Sequence, residues 1–365
     1  MPRIVAWNAD GAGGWKLLHP DLPADGAEWT TALLSHSELE VHFDNERPDL
    51  PALTPWLTAL GVVDGGNLRA FGIVTDRDAD DEKLTVVCRG LTGYLDGLPW
   101  TDATVRRYDA DPGELIRLVW DTAQGHRWGN LGVNVDRVAT NVRVGEKRAE
   151  VKDADGKVTE SAVDEPYTLD RSETHDLGAE VDALLAEAGL EFREVLSLSR
   201  SGVPGVRMHI GPNLGRRRTD VRAEVGESVY IVPSVEEDPE DYASDVLLIG
   251  AGEGPARIVA QEWLPTMSRL RRVYVYQAQD IYRQAEATAE AARVLATMQP
   301  RQGAITSLEV MDSPSFPVWT IEPGDELRLT GHLGAAGHAD RWVRVIAASS
   351  SLETPHQRSL EVVDV

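Results

Sequence analysis

Only one cysteine, Cys88, stands in 365 residues, which excludes any intrachain disulfide. It closes the apolar run Leu84-Thr-Val-Val-Cys88, so it reads as a buried structural thiol. Long hydrophobic runs are missing as well. None approaches the roughly 18–20 residues that a helix needs to cross a bilayer, so no membrane span is expected. The first residues, Met1-Pro-Arg-Ile-Val5, lack the apolar core and small-residue cleavage site of a secretory leader. Positive charge is scarce: 36 basic against 60 acidic side chains leave a formal charge of −24. A field of that sign repels phosphate backbones and argues against nucleic-acid binding, sequence-specific or not. It suits a very soluble protein, or one lining a passage through which DNA slides without sticking. Phenylalanine is rare too, with four copies against ten tryptophans. Tryptophan offers large contact area with one polar handle and is enriched where subunits meet. Stacking on carbohydrate is its rival use, and core packing is the default for any single one.

Catalytic signatures are equally thin. No G-x-S-x-G occurs, which removes the esterase elbow. Gly250-Ala-Gly-Glu-Gly-Pro255 follows a strand, yet its third glycine comes one residue early for a dinucleotide loop, and Glu253 would set a negative charge beside the phosphate. It reads as a strand connection. Nine histidines are scattered; His36/His42 and His332/His338 are each six apart, with no cysteine or carboxylate pattern to complete a zinc set. Carboxylate pairs are numerous, and nothing singles one out as a glycosidase pair. The expectation is a protein that is not an enzyme and has no cofactor or metal.

What is present is mostly strand. A chain of this length is expected to divide into two to four domains. Residues 1–105 read as strands around 39–43, 68–75 and 83–90. Asp111-Pro-Gly-Glu-Leu-Ile-Arg-Leu-Val-Trp120 has an acidic cap, Pro in the first turn and one apolar face, the marks of a helix start. An exposed hairpin is expected around Asp153-Ala-Asp-Gly156. A second helix is expected over 172–189, capped by Ser172, striped by Leu177, Val181, Leu184 and Leu185, and ended by Gly189. Strands return over 191–232 and 244–276, and an alanine-rich helix over 280–298 stops at Pro300. In the closing stretch Leu327/Leu329, Trp342/Val343/Val345 and Leu360/Val362 stand near period-two spacing, with turns at Pro323-Gly324 and 331–337. This reads as a small antiparallel barrel-like domain with Trp342 in its core. Leu84-Thr-Val-Val87 and Leu360-Glu-Val-Val363 echo each other, which two barrels of one kind or chance between ordinary strands would explain equally. The fold class is therefore mainly β with α+β modules: two small antiparallel β-barrel, tube-like domains with α/β insert domains between them. The expected division is 1–108, an N-terminal barrel-like domain; 109–165, a helix-plus-hairpin module; 166–278, an α+β domain; and 279–365, a helix and the closing barrel.

Two charge clusters are candidate sites. Arg216, Arg217 and Arg218 form the one dense basic cluster, fit for a phosphate or acidic partner, for an ion-pair bridge to a neighbouring acidic chain, or for a solvated hairpin. Glu236, Glu237, Asp238, Glu240 and Asp241 form an acidic run that would line a lumen or interface, or stand as a solvated loop.

In order and texture the chain resembles the baseplate hub, or tail-hub minor tail protein, of long-tailed, siphovirus-like phages. The resemblance rests on Leu84–Gly90 running into Leu91-Thr-Gly-Tyr-Leu-Asp-Gly-Leu98, on a helix of the 177–189 type leading into Leu190-Glu-Phe-Arg193, and on Asp245-Val-Leu-Leu-Ile-Gly-Ala-Gly-Glu-Gly254. The helix over 280–298 then precedes Ile321-Glu-Pro-Gly-Asp325, similar to the family's recurring l-x-P-G-D opening of the last barrel. The resemblance implies a homotrimeric hub at the virion's tail tip, assembled in the host cytoplasm, with two tube-like domains per subunit making a pseudo-sixfold ring around the DNA exit path. Its implied partners are further copies of itself, the distal tail protein and tail tube, the tape measure protein, and other tail-tip or receptor-binding proteins. It implies no catalytic residues. A carbohydrate-binding or cell-wall-processing tail protein is the alternative, prompted by tryptophans amid abundant acids.

Overall fold

Alternation of apolar and polar residues commits both ends of the chain to strands, and in the computed structural model these strands form one twelve-stranded sheet. The structure describes all residues except 1, 46–49, 81, 149–150, 153–157, 161–162, 237–241, 265–269, 280 and 299–303. The N-terminal strands are β1 (Arg3–Ala9), β2 (Trp15–Leu22), β3 (Gly26–Ala32), β4 (Glu38–Asp44), β5 (Thr58–Asp64), β6 (Asn67–Ala79) and β7 (Lys83–Arg89). They pair in the order β3-β4-β7-β6-β5-β1-β2, with every ladder antiparallel. Ile4, Leu22, Ala27, Trp29, Val41, Phe43, Val62, Val74, Val86 and Cys88 share one core cluster. Both outer strands, β2 and β3, contribute to it, so the sheet curls around it. Cys88 is fully buried and its thiol is pushed up from its ordinary pKa by desolvation, as the sequence suggests.

The opposite face of these strands meets the middle of the chain. Trp7, Trp15, Phe71 and Ile73 pack with Ile116, Val119 and Trp120 of α1 (Pro112–Gly125) and with Val181, Leu184 and Leu185 of α2 (Leu177–Ala188). Phe192 and Met208, from β8 (Glu191–Leu198) and β9 (Pro204–Gly211), complete this core. Phe71 lies edge-to-face with both Trp7 and Trp15, at centroid distances of 5.6 and 5.1 Å. Helix α1 starts as its sequence indicates: the Asp111 carboxylate accepts the Gly113 amide at 2.9 Å, and Pro112 occupies the first turn. For α2 the cap is Asp176, not Ser172. Its carboxylate accepts the Ala179 amide, while Ser172 donates to Asp170 in the turn before. Gly189 ends α2 with a left-handed φ of +61°, which carries a steric cost for residues with a Cβ. Of the expected hairpin at 141–163, two short antiparallel ladders are seen; its Asp153–Gly156 tip lies outside the described residues.

The closing region contributes β14 (Ser307–Met311), β15 (Glu326–His332), β16 (His338–Ser351) and β17 (Gln357–Asp364), joined by β10 (Arg217–Glu224), which runs parallel to β15. Val221, Leu308, Leu327, Leu329, Val343, Val345, Leu360 and Val362 share its core. Strand β16 connects the two ends of the chain. Its first half pairs with β15, while its last five residues, Ala347–Ser351, pair with β3, Ala347 opposite Ala32 and Ser351 opposite Glu28. The molecule is thus mainly β with α+β modules. Its two end regions each curl around their own core, and no hydrogen-bonded ring closes among the described residues.

A smaller three-stranded sheet, β11 (Asp245–Ile249), β12 (Val259–Trp263) and β13 (Val273–Gln277), carries α3 (Gln284–Thr297) on one face through Val246, Leu248, Ala260, Ala287, Ala291 and Val294. The 250–255 glycine loop runs from β11 into a single 3₁₀ turn, Gly254–Ala256, and on to β12. No helix N-terminus follows it, in line with a strand connection.

One core expectation needs correcting. Trp342 alternates with Val343, so the two point to opposite faces. Val343 is fully buried, whereas Trp342 is half-buried outside the core beneath Arg217, whose guanidinium carbon lies 4.6 Å from its ring centre. Phe71→Ala should therefore destabilise the core between the N-terminal strands and the middle helices by about 3–5 kcal/mol, and Trp342→Ala should cost the closing sheet only about 1–2 kcal/mol. Urea titrations following each variant's midpoint at unchanged slope check both values; equal losses would return Trp342 to the core.

Candidate functional site: the Pro-Gly-Asp junction and an open sheet face

Two motifs distant in sequence, Arg216–Arg218 and Glu322-Pro-Gly-Asp325, meet in space. Gly324 has φ +101° and Gly215 has φ +91°, and the two turns lie back to back. A Cβ on Gly215 would fall 2.1 Å from the Gly324 carbonyl carbon, and one on Gly324 would fall 2.4 Å from the Leu214 oxygen. Glycine is required at both positions for conformation and for space. Asp325, 4% exposed, then accepts the Arg216 amide at 3.0 Å, the Arg218 guanidinium at 3.2 Å and the Glu322 amide at 3.2 Å.

Arg218 is 1% exposed, and all five of its N–H donors have acceptors. Nε and Nη2 grip the two Asp220 oxygens at 2.8 Å each, Nη1 reaches the Thr320 carbonyl at 2.7 Å and Asp325, and Nη2 also reaches the Thr320 hydroxyl at 3.1 Å. Its hydrogen bonds to Asp220 and Asp325 raise its pKa against the opposing effect of desolvation. The same bond holds Asp220 down to about 2. Arg217 pairs with Glu326 at 2.6 Å and covers Trp342; Arg216 is exposed. Two members of the basic cluster are therefore occupied within the chain, which its spacing alone did not show.

A second tier ties β8 into the same place. Glu191 accepts both Nη atoms of Arg344 at 2.7 and 2.6 Å and the Leu214 amide at 2.7 Å. Arg344 continues to the Leu214 and Gly324 carbonyls, and its pKa is raised chiefly by its bonds to Glu191. Arg193 donates to the Pro323 carbonyl at 3.1 Å and pairs with Glu322 at 2.6 Å. The middle module, β10 and the closing sheet are locked at this one point.

The other feature is open. On the face of the β11–β13 sheet away from α3, Val259, Trp263, Val273 and Val275 lie exposed around Leu247, and Trp263 is 63% exposed. Soluble proteins seldom leave such an apolar patch uncovered unless it meets a partner. Trp263, Trp56 and Trp128 are the exposed large indoles, whereas Trp7, Trp15, Trp29, Trp100 and Trp120 are buried. Of the acidic run, Glu237, Asp238, Glu240 and Asp241 lie outside the described residues, and for Glu236 only its backbone pairing with Ala304 is described. Among the described residues no group of three or more His, Cys, Asp or Glu could hold a metal, and no helix is long and apolar enough to cross a membrane.

No protein-family model matches the chain, and no curated protein matches it by sequence. Solved structures match it in fold. The 43 kDa tail protein of prophage MuSo2 from Shewanella oneidensis aligns at a TM-score of 0.57 and 13% identity, over 99% of this chain and 98% of its own. The tail protein from Neisseria meningitidis MC58 aligns at 0.54 and 12% identity, over 100% and 96%. A chain of the Francisella PdpA-VgrG complex aligns at 0.52 and 10% identity, covering 100% of this chain and 58% of that one. The chain shares the fold of prophage tail proteins along nearly its full length.

Removing the buried Asp325 carboxylate leaves the Arg216 and Glu322 amides and one Arg218 N–H without their acceptor, although Arg218 keeps Asp220. Asp325→Ala should therefore cost about 3–5 kcal/mol, and adding Arg218→Met should recover part of that loss in a double-mutant cycle. Acid should act through Asp220. Its pKa is depressed on folding, so its contribution is full above its ordinary value of 3.8 and disappears as pH falls toward about 2. Asp220→Asn should flatten the stability–pH curve in that window, and an unaltered curve in pH-stepped melts would count against the pairing.

Proposed function

We propose that this chain is a structural component of a phage tail tip: a homotrimeric hub ring that adapts the tail tube and distal tail ring to the tip and surrounds the DNA exit path. The observation that carries the reading is the pairing of β16 with β3, which joins two separately curled strand regions into one sheet, in a fold shared with prophage tail proteins. Three chains, each presenting two such regions at a fixed mutual angle, would place six similar units around an axis. That is the arrangement needed to meet a sixfold tube. A shared sheet suits this role, because a flexible linker between the regions would let the angle drift.

The open β11–β13 face is a contact surface for a further copy or for a tail-tip partner, among them the distal tail protein, the tape measure protein and receptor-binding proteins. The protein belongs in the virion at the tail tip, after assembly in the host cytoplasm. Part of the −24 charge faces the DNA path, where like charge keeps the duplex from adhering. The role is architectural, and no catalytic step is assigned to it.

Electron-microscopic images of the assembled full chain should show three copies in a ring with six repeating densities, and labelled protein should sit at the tip of purified tails. Absence from purified tails would end this reading. Trp263→Asp should leave the melting temperature within about 1 °C, since exposed substitutions change stability by roughly 0.5 kcal/mol or less, and should abolish incorporation into tails.

A further inference from the structure

Arg358 breaks the pattern set by Arg218. It is 6% exposed, its Nη1 donates to the Val318 and Ile321 carbonyls at 3.1 and 2.9 Å, and its buried Nε has no acceptor. No carboxylate pairs with it among the described residues. Instead its guanidinium carbon lies 5.2 Å from the centre of the Trp319 ring, and Arg69 approaches the same ring at 4.7 Å. Two cations share one indole, which itself stacks on Trp29 at 6.4 Å. The Arg69 Nε is also buried without an acceptor; its Nη2 pairs with Asp64 at 4.0 Å, and the charges of Asp64 and Asp312 only partly oppose the desolvation that lowers its pKa. Arg193 has an unpaired Nε as well. Desolvation, and then the charge of Arg69, push the Arg358 pKa down to about 10. A buried guanidinium without a counter-ion is costly.

These three arginines and both tryptophans line one cavity of about 430 Å³ between β6, β8 and the closing sheet. The acids on its wall are already engaged. Glu322 pairs with Arg193, and Glu194 accepts the Thr92 amide and hydroxyl and the Ser37 amide. We propose that this cavity is a carboxylate-binding site in which a planar anion supplies the counter-charge that Arg358 lacks and adds to the one Arg69 has from Asp64 at 4.0 Å. Guanidinium forks match carboxylate geometry, the flanking indoles suit a flat group, and the two wall glutamates disfavour a tetrahedral phosphate, whose two charges sit on one group. The carboxylate is either a free organic acid or an acidic side chain of a neighbouring copy, of which this chain carries 60. The site does not depend on the tail-tip role.

The test is thermal unfolding of the full chain in sodium succinate against sodium chloride at equal ionic strength, with association followed by sedimentation. Succinate should give a saturable rise of about 2 °C over chloride. Arg358→Met should melt no lower than the parent in chloride, because it removes an uncompensated buried charge, and should lose the succinate response. Arg69→Gln, at a more exposed position, should lose most of the response and carries the test should Arg358→Met not fold. Association weakened by both succinate and Arg69→Gln identifies a neighbour's side chain as the source; stabilisation with unchanged association identifies a free acid. The absence of both a succinate-specific rise and an Arg69-dependent association overturns the proposal, as does a succinate response in both variants as large as the parent's.

Discussion

Asp325 accepts hydrogen bonds from the Arg216 amide and the Arg218 guanidinium where water is excluded, and that contact joins segments more than a hundred residues apart in the chain. Replaced by apolar side chains of similar volume, such a pair often loses little stability. What it supplies is specificity. An unpaired carboxylate or guanidinium would be so costly at this depth that no other loop can take the place of 215–218 beneath the Pro-Gly-Asp turn. The two glycines act in the same direction, since neither turn can approach the other with a Cβ between them. With this point fixed, the parallel pairing of β10 with β15 follows, and the Glu191–Arg344 bridge draws β8 onto the same corner.

The large sheet depends on that corner for its shape. Strand β16 is long enough to serve two partners in succession, β15 and then β3, so the closing region cannot turn relative to the N-terminal region without breaking main-chain ladders. The four apolar cores then sort by location. Two fill the curled end regions, one seats the middle helices against the N-terminal strands, and one lies between α3 and the small sheet. Val259, Trp263, Val273 and Val275 remain exposed together on the far face of that small sheet. Charge follows the same division: Arg218 and Asp325, which hold two segments together, are buried with every Arg218 donor satisfied, while Glu322 and Asp220 reach the surface.

By itself the sequence determined the class of the fold and much of its local structure, because those features depend on spacing along the chain. Period-two alternation marked the strands, Asp111-Pro112 and Gly189 marked helix ends, and one cysteine in an apolar run announced a buried thiol. The Ile321-Glu-Pro-Gly-Asp325 turn is legible in the sequence, whereas its partner at 215–218 is not. What tertiary structure alone decided was which of two equivalent choices each segment took. Trp342 and Val343 are both apolar, and only the register of β16 against β15 turned the valine inward. Ser172 and Asp176 are both good caps, and the turn held by Asp170 left the second at the helix start. Arg216–Arg218 read as a surface cluster because Asp325 lies over a hundred residues away, and the charge of a side chain says nothing of its burial. A guanidinium meets its carboxylate only when two turns are brought back to back, a long-range contact that no local spacing encodes.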